Sequence, residues 1–531
     1  MALKAACIWL VSAISLFGQA SEQGAGTVEG TAVNAVTNAP VRKAVVTLRN
    51  DEHDYSYLAT TDQAGHFVFT GVQPATYIIA NIDAQGYRYL HSTRSKFFAS
   101  MIKVGEGQHV SGITASLTPL GAIVGRVTDE DGEPIVGANV QALRYDYALE
   151  RKTLTVVSSS ATNDLGEYRL YDLPPDRYFV HVVKSPTIVP RIPNLHKLVQ
   201  ETGFADGFYP GVADVSQGSR IEVAPGAEVA GIDLRMHRSP MFHIRGGAAG
   251  SGGAQLIALP CGENRDINVL GSIRVDVQQD GRFDAGPLVP GVYCLDLRRS
   301  SLYALATVAI KDRDVEGVNV AEAAIRDVPG TIAMDGHPAG ALAITWSAAD
   351  SNRRGGMPVR LDGSFSLRLR PAAYHIVVSG LQPGFYLKSI QYGQDDASSG
   401  LIDLRADGSP LTIALGDDAG QISGTVQTDK GDPAANVAVS IVPRGPLAER
   451  LDLKKVGNTD QSGRFHIGGL APGEYDVLAW EDYDPAFMRA HEFLSQFSGR
   501  ATAVTVHSNG NESVQLKIVP DEDIQQARSR L

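Results

Sequence analysis

Residues 459–467 read Thr-Asp-Gln-Ser-Gly-Arg-Phe-His-Ile, and this stretch contains the pattern that decides the fold. The Asp and the Gly of its polar half are typical of a tight turn, because Asp caps such turns and Gly accepts a positive φ. Phe465 and Ile467 then alternate with polar residues, which predicts a half-buried strand. A second turn at 468–473 leads to Tyr475 and another alternating run. The segment therefore predicts a β-hairpin with a tyrosine at the start of its return strand.

The same pattern occurs five times along the chain. A turn glycine is followed by the tyrosine of a Pro-x-x-Tyr sequence, 12 residues later in four copies and 11 residues later in the fourth. Successive tyrosines are 101, 115, 81 and 101 residues apart, which fits a series of β-sandwiches of about 100 residues. The glycines are Gly65, Gly166, Gly281, Gly363 and Gly463, and the tyrosines are Tyr77, Tyr178, Tyr293, Tyr374 and Tyr475.

Two further strand predictions flank each copy. A short opening strand contains a glycine, and a β-rich stretch closes the module. The opening strands are at 28–30, 123–125, 244–246, 328–330 and 422–424, and the closing stretches are at 111–117, 230–236, 317–320, 411–415 and 513–519.

The sequence Thr-Asp-x-x-Gly-x-Phe followed by Leu-x-Pro-Gly-x-Tyr resembles the carboxypeptidase regulatory-like domain, a transthyretin-like β-sandwich. The copies at 61–77, 162–178 and 459–475 match best, whereas the third and fourth copies keep the Gly and the Pro-x-x-Tyr but lack the Thr-Asp. The resemblance covers most of the chain and implies a bacterial tandem-repeat protein. Such domains occur as carboxypeptidase accessory domains, in surface proteins, and as relatives of carbohydrate-binding folds, so the resemblance indicates fold more than function.

The predicted fold class is all-β, with a tandem array of immunoglobulin-like or transthyretin-like β-sandwiches after a signal peptide. Each module is expected to bury its own core and to make modest contacts with its neighbours. The predicted segments are a signal peptide at 1–20, module 1 at 24–120, module 2 with an insertion at 121–238, degenerate modules 3 and 4 at 239–323 and 324–419, module 5 with a short helical insertion at 420–520, and a polar tail at 521–531.

The first 20 residues have the layout of a signal peptide. Lys4 precedes an apolar run at 5–17, and Gly18-Gln19-Ala20 is a small-x-small cleavage sequence. The alternative, a membrane anchor, needs a longer apolar run. No later run approaches 18 apolar residues, so we expect no membrane span in the mature chain and export to the periplasm, the cell surface or the medium.

Composition and charge narrow the range of partners. The 55 Gly and 27 Pro residues indicate many turns, and the 43% hydrophobic content is enough for several small cores. The formal net charge of −12, with no Lys/Arg cluster, argues against nucleic-acid binding. We expect the partner to be a protein or a glycan at the cell envelope.

No catalytic motif is found in the sequence. None of the 13 His begins a His-x-x-Glu or His-Glu-x-x-His pattern, and neither a Gly-x-Ser-x-Gly nor a phosphate-binding loop is present. The acidic run at 129–132 has two interpretations, a calcium loop or a hairpin turn, and the turn is favoured because spaced oxygen ligands are missing. We therefore expect no catalytic residues, no metal and no cofactor.

Two cysteines follow the signal peptide, Cys261 and Cys294, and both lie in module 3. An oxidising compartment permits a disulfide between them. If Tyr293 and Leu295 point inward, Cys294 points outward, and a bridge would lie on a sheet face. The alternative is two separate thiols.

Two aromatic-rich insertions depart from the repeat, each just after the tyrosine-bearing strand of its module. The first, at 185–217, contains Phe204, Phe208 and Tyr209, and the second begins at Trp480 and Tyr483. Asp484 before Pro485 is a helix-start signal, and a short helix is predicted to carry an apolar stripe of Phe487, Met488, His491, Leu494 and Phe497. The candidate ligand-binding residues are the aromatics Phe204, Phe208, Tyr209, Trp480 and Tyr483. The alternative is that they close the ends of their own modules.

Three classes of function remain open. The first is a non-enzymatic exported multi-module protein for binding or scaffolding at the cell envelope. The second is a carbohydrate-binding protein that uses the aromatic insertions. The third is an enzyme of unrecognised type, with the fewest sequence features in its favour.

Overall fold

A computed structural model gives the fold of most of the chain. The described residues form two compact units, the first made of residues 25–84 and 102–117, the second of residues 85–89 and 118–530. The signal peptide predicted at 1–20 lies outside the described residues. These are 25–50, 53–89, 102–147, 152–184, 201–248, 254–261, 273–298, 302–320, 323–333, 342–349, 354–382, 384–405, 410–435, 437–448, 450–481, 483, 487 and 490–530.

The predicted span of module 1 contains eight strands among its described residues. They are β1 (Gly26–Asn34), β2 (Val45–Asn50), β3 (Tyr55–Thr60), β4 (His66–Val72), β5 (Ala75–Ala84), β6 (Tyr87–Arg88), β7 (Ile102–Val104) and β8 (His109–Pro119).

Modules 2 and 3 follow. Module 2 contains β9 (Gly121–Thr128), β10 (Asn139–Asp146), β11 (Thr153–Ala161), β12 (Glu167–Leu173), β13 (Asp176–Val183), β14 (Thr202–Phe204), β15 (Gly207–Phe208), a 3-10 turn (Val215–Gln217), β16 (Ile221–Val223), β17 (Glu228–Val229) and β18 (Leu234–Arg235). Across the boundary and in module 3 lie β19 (Arg238–Pro240), β20 (Phe242–Gly247), β21 (Gln255–Pro260), β22 (Ile273–Asp276), β23 (Arg282–Leu288), β24 (Gly291–Arg298), β25 (Leu302–Ile310), β26 (Val315–Asn319) and β27 (Ala323–Ala324).

Modules 4 and 5 complete the second unit. Module 4 contains β28 (Arg326–Ala333), β29 (Ala343–Ala348), β30 (Arg354–Pro358), β31 (Ser364–Leu369), β32 (Ala373–Ser379), β33 (Tyr386–Tyr392), β34 (Asp395–Asp396), β35 (Leu401–Asp403) and β36 (Leu411–Gly416). Module 5 contains β37 (Gly420–Gln427), β38 (Ala438–Pro443), 3-10 turns (Gly445–Leu447 and Leu451–Leu453), β39 (Lys455–Asn458), β40 (Arg464–Leu470), β41 (Gly473–Trp480), α1 (His491–Leu494), a 3-10 turn (Ser495–Phe497), β42 (Thr502–Val506) and β43 (Asn511–Val519), followed by α2 (Asp521–Arg530).

All five modules repeat one arrangement of strands. The opening strand pairs antiparallel with the strand after the turn glycine and parallel with the closing strand. The next strand along the chain pairs antiparallel with its successor and with the tyrosine-bearing strand. This confirms the predicted fold class, a tandem series of immunoglobulin-like β-sandwiches.

The Asp-Gly turn before each hairpin has the geometry that its residues favour. In module 5 the Asp460 carboxylate accepts hydrogen bonds from the backbone N–H groups of Ser462 (2.8 Å) and Arg464 (2.9 Å). Gly463 has a φ of 72°, a conformation that L side chains rarely adopt. In module 5 the turn therefore uses the Asp460 carboxylate and the positive φ of Gly463, and in module 2 Asn163 takes the place of the Asp.

The threonine before the Asp holds a neighbouring loop in place. Thr459 is 3% exposed, and its hydroxyl donates to the carbonyl of Ala434 (2.6 Å) and accepts from the N–H of Val437 (3.0 Å). Thr61 and Thr162 make the equivalent pairs of bonds in modules 1 and 2. Modules 3 and 4, which lack the Thr-Asp, carry a buried valine at this position (Val277 and Val359).

The signature tyrosines are buried, and the hydroxyls of Tyr77, Tyr178, Tyr293 and Tyr475 donate to the backbone. Tyr475 donates to the carbonyl of Ala471 (2.8 Å), and Tyr178 donates to that of Pro174 (2.6 Å). The same bond occurs in modules 1 and 3, from Tyr77 to Gln73 and from Tyr293 to Val289. Each acceptor directly precedes the proline of the Pro-x-x-Tyr sequence. Burial raises the pKa of these four tyrosines.

Each opening strand carries a glycine because the closing strand lies too close for a side chain. A Cβ at Gly424 would lie 2.2 Å from the carbonyl oxygen of Val514, and one at Gly246 would lie 1.8 Å from that of Val318. Such distances exclude any other residue unless the backbone shifts. Closing-strand oxygens also crowd the equivalent positions in the remaining modules (Gly30, Gly125 and Gly330).

The C-terminal end differs from the sequence-based interpretation. The sequence predicts only a polar tail at 521–531, and the structure forms α2 there, which buries Ile524 and Ala527. They join an aromatic cluster of module 5 that contains Trp480 and Phe493. Two apolar residues in a polar stretch are too weak a pattern to indicate such packing.

The helical insertion of module 5 is shorter than its predicted stripe. The predicted start at Asp484 and Pro485, and the stripe residue Met488, lie outside the described residues. Helix α1 begins at His491 and spans a single turn. Phe493, Leu494 and Phe497 are buried, whereas His491 is exposed, and the chain continues as a 3-10 turn after Leu494.

Removal of the Tyr178 hydroxyl tests the role of the repeated tyrosine bond. Tyr178→Phe is expected to lower the free energy of unfolding of module 2 by about 1–3 kcal/mol, because the buried carbonyl of Pro174 loses its donor. The matched control is Tyr171→Phe in the same module, since Tyr171 is 54% exposed. Urea unfolding followed by hydrogen exchange of module 2 peptides measures both variants. Equal effects of the two substitutions would contradict the assigned role.

Candidate functional site

The two candidate aromatics of module 5 are interior residues. Trp480 is fully buried, and its indole N–H donates to the hydroxyl of Ser440 (2.7 Å). Its ring packs against Phe497 (5.0 Å between ring centroids) and Phe493 (6.1 Å). Tyr483 is 2% exposed in the same cluster. These contacts favour the alternative in which both residues close the end of module 5, because a fully buried ring has no face to offer a ligand.

The three candidate aromatics of module 2 are half-buried against their own module. Phe204, in β14, lies beneath the guanidinium of Arg238 (5.1 Å). Phe208, in β15, packs at a tilt against the buried ring of His181 (4.5 Å between ring centroids). Tyr209 packs against the core of module 2. Their ligand-binding role stays a prediction, and their contacts are those of a packed insertion.

Truncation of Trp480 separates packing from binding. Trp480→Ala is expected to lower the free energy of unfolding of module 5 by about 3–5 kcal/mol, the usual cost of removing a buried aromatic side chain. Tyr171→Ala, at an exposed tyrosine of module 2, is the control and should change stability little. Calorimetry of the two variants gives the comparison. An unchanged melting temperature for Trp480→Ala would contradict the packing role and favour a ligand-binding role for this residue.

The structure places the two cysteines of module 3 in a disulfide, with their Cα atoms 5.1 Å apart. Tyr293 and Leu295 belong to the core cluster of the module, whereas Cys294 lies between them on β24, is not part of that cluster and is still only 1% exposed. The Thr307 hydroxyl, on neighbouring β25, is 4.0 Å from each sulfur. The geometry is that of a bridge on a sheet face.

The oxidation state of this pair is a prediction for the exported protein. We expect the two cysteine-containing peptides to be linked in the unreduced mature chain, because no other cysteine remains after residues 1–20 are removed. Reduction should lower the free energy of unfolding of module 3 by about 3–4 kcal/mol. Peptide mapping by mass spectrometry, with and without reductant, provides the measurement. Two alkylatable thiols before reduction would contradict it.

A cleft of about 490 Å³ lies between module 2 and the C-terminal part of module 5. Tyr145 and Phe179 line it from module 2, and Phe487 lines it from the insertion of module 5. Beside the cleft, Tyr147 of module 2 is 3% exposed and contacts Phe487 (5.4 Å between ring centroids). Burial, followed by the proximity of Glu492, raises the pKa of Tyr147. The two modules therefore share a buried contact at the edge of the cleft.

The lining of the cleft is rich in arginine, and two of its arginines form ion pairs across neighbouring strands. Arg144 pairs with Asp176 (3.1 Å) and Arg177 with Glu222 (3.6 Å). Four positive and two negative side chains give the lining a formal charge of +2, in a chain whose net charge is −12. The positive residues are Arg144, Arg177, Arg220 and Arg528, and the negative residues are Asp176 and Glu222.

The other two arginines of the lining lie over aromatic rings. The guanidinium of Arg220 is 5.5 Å from the ring centroid of Phe179 and 5.9 Å from that of Tyr145. The guanidinium of Arg528, on α2, is 4.9 Å from the ring centroid of Phe487. Cation–π contacts of this kind orient the charged groups.

Sequence reasoning named Phe487 as part of an apolar stripe but missed the rest of this cleft. Tyr145, Arg220 and Arg528 carry no motif and are far apart in the sequence. Only the contact between modules 2 and 5 brings them together. Phe208 is connected to the cleft indirectly, since it packs on the small cluster that contains Phe179.

A buried arginine joins modules 4 and 5. Arg450 of module 5 is 2% exposed and binds the carboxylate of Asp452 through two hydrogen bonds of 2.7 Å. It also donates to two backbone carbonyls of module 4, those of Leu387 (2.6 Å) and Ser398 (3.1 Å). Tyr386 of module 4 belongs to the core cluster of module 5. This junction buries side chains of both modules and is therefore more extensive than the modest contacts expected from the sequence.

A histidine occupies the junction of modules 2 and 3. The ring of His243 contacts Asp284 through Nδ1 (2.5 Å) and Glu201 of module 2 through Nε2 (3.3 Å). Arg245 binds Asp284 (3.0 Å) and Asp314 (2.7 Å) on the same side. The hydrogen bond to Asp284 raises the pKa of His243 and outweighs the opposite effect of burial.

The acidic run at 129–132 behaves as a turn. The Asp129 carboxylate accepts hydrogen bonds from the backbone N–H groups of Asp131 (3.1 Å) and Glu133 (2.9 Å). Among the residues that the structure describes, no group of three or more His, Cys, Asp or Glu side chains is placed to hold a metal ion. In the same part of the chain, no helix combines the length and apolar character needed to cross a membrane.

Residues 122–187, in module 2, match the family model of the carboxypeptidase regulatory-like domain. The resemblance predicted from the repeat is confirmed. The carboxypeptidase regulatory-like domain is a non-catalytic type of module. No curated protein matches the sequence.

The chain is also similar to several solved structures. For the Bacillus anthracis TIE protein the identity is 10%, with 73% of this chain and 68% of that chain covered and a TM-score of 0.15. A streptococcal ancillary pilin is 13% identical, with 56% of this chain and 98% of that chain covered and a TM-score of 0.17. The major pilin subunit of Bacillus cereus is 12% identical, with 75% of this chain and 99% of that chain covered and a TM-score of 0.15.

Proposed function

We propose that the protein is a non-enzymatic, exported scaffold that holds β-sandwich modules at defined positions at the cell envelope. The observation that carries this proposal is the buried junction of modules 4 and 5, where Arg450 donates to two carbonyls of the neighbouring module. A string of independent modules does not need such a contact, whereas a scaffold with fixed spacing does. The match of module 2 to a non-catalytic type of domain supports the same function.

The other junctions of the second unit support the same interpretation. His243 of module 3 contacts Glu201 of module 2, and Tyr147 of module 2 is buried against module 5. Module 5 therefore contacts both module 4 and module 2. Each contact restricts the relative motion of two modules, which interdomain contacts of ordinary size and polarity do not.

One experiment tests both the cellular location of the protein and the rigidity of the junction between modules 4 and 5. A bacterial host expressing the full chain is expected to carry the protein in its envelope fraction. There the peptide at 417–419 should resist endoproteinase Asp-N although Asp417 is exposed, because Tyr386 of module 4 donates a hydrogen bond to Asp418 (3.0 Å) and holds the backbone in place. Arg450→Met should open this peptide to cleavage, since the loss of Arg450 leaves the Asp452 carboxylate buried at a cost of about 3–5 kcal/mol.

The matched control is Arg444→Met, which removes an arginine of the same module whose side chain is 46% exposed. Its cleavage should equal that of the unmodified chain. Recovery of the protein in the cytoplasmic fraction would contradict the proposed location at the cell envelope. Equal cleavage of the Arg450→Met and Arg444→Met variants would overturn the rigid junction.

Carbohydrate binding is the second candidate function. The observation in its favour is the cleft between modules 2 and 5, where aromatic rings and arginines line one cavity. The five aromatics singled out from the sequence support it less, because Trp480 and Tyr483 are buried.

A further inference from the structure

We propose that the cleft between modules 2 and 5 is a binding site for an acidic oligosaccharide whose carboxylates are held by Arg220 and Arg528. The proposal adds a ligand class to the binding function considered above. It depends on the contact between modules 2 and 5 and not on the junction of modules 4 and 5.

The charge of the cleft selects an anion. Its lining carries a formal charge of +2 while the whole chain carries −12, so the cleft is a local positive region on an acidic protein. A concave site lined by one sign of charge focuses the electrostatic potential and attracts ligands of the opposite sign. Arginine is suited to this task because its planar fork of N–H donors matches the geometry of a carboxylate.

The cation–π contacts position the guanidinium groups before a ligand arrives. Arg220 lies over Phe179 and Tyr145, and Arg528 lies over Phe487. A ring occupies the face of a guanidinium, whereas its donors lie in the plane of the group. Groups that are already ordered lose less entropy on binding, which favours affinity.

The remaining polar groups of the lining favour a sugar over an acidic peptide. Asp176 and Glu222 bring carboxylates to the same cleft, and Gln525 and Gln526 bring amides. Carboxylates accept hydrogen bonds from sugar hydroxyls, whereas the side chains of an acidic peptide offer them no donor. A uronic acid presents both groups, a carboxylate for the arginines and hydroxyls for the acids and amides. The volume of about 490 Å³ lies within the usual range of small-ligand sites.

Neither module contains the whole site. Tyr145, Phe179 and Arg220 come from module 2, whereas Phe487 and Arg528 come from the insertion and the C-terminal helix of module 5. A ligand in the cleft contacts both modules and therefore stabilises their association.

The experiment is calorimetric titration of the full chain with trigalacturonate and, separately, with its fully methyl-esterified form. The ester keeps the sugar rings and all of their hydroxyls but removes the negative charges. We expect the acid to bind, with an affinity that falls as the salt concentration is raised, and the ester not to bind. Arg220→Gln and Arg528→Gln should each weaken binding about tenfold or more, because each removes a charged hydrogen-bond donor.

The matched control is Arg313→Gln, which removes an arginine that is 85% exposed in module 3 and should leave binding unchanged. Arg220 is exposed, so its variant is expected to keep the melting temperature of the parent chain. Absence of binding by the unmodified chain would overturn the proposal. So would equal binding of the ester, retained binding by the Arg220→Gln variant, or equally tight binding of tetraglutamate. A change at the Arg450 junction would not affect this titration. The scaffold proposal and the binding-site proposal can therefore be overturned independently.

Discussion

The modules depend on one recurring interaction, the hydrogen bond from the signature tyrosine to the carbonyl that precedes its proline. The proline removes a backbone donor at the turn, and the tyrosine hydroxyl supplies one from the strand that follows. In Tyr475 and Tyr178 the aromatic ring meanwhile lies in the core. One side chain therefore fixes the turn, the start of the return strand and the centre of the sandwich. The insertions of modules 2 and 5 begin directly after the tyrosine-bearing strand, so this strand also determines where they start.

A second constraint is the close approach of the opening and closing strands. At Gly246 and Gly424 the neighbouring backbone leaves no space for a Cβ. The repeat therefore contains two kinds of glycine with different physical causes. Gly463 and its equivalents serve a turn with positive φ, whereas the opening-strand glycines serve interstrand distance.

The aromatic insertions show how packing competes with exposure. Trp480 has an apolar body too large to leave in water without cost, and the short helix and α2 cover it. Phe487 remains at the surface of that cluster, where it contacts Tyr147 and lines the cleft. The insertion thus closes its own module and, with its outer residue, forms part of a contact with module 2. The interface and the candidate site have a common origin.

The sequence by itself determined the fold class, the number of repeats and the hairpin at each copy, because turn chemistry and strand alternation act over a few neighbouring residues. It also singled out Cys261 and Cys294 as a pair and predicted that a bridge would lie on a sheet face. It did not reveal the helical packing of 521–530, whose two buried residues form too short a pattern. Nor did it indicate the cleft, because Tyr145, Arg220, Phe487 and Arg528 lie in two modules separated by two others. Which modules touch is decided by shape and charge complementarity between folded surfaces, and only the tertiary structure contains that information.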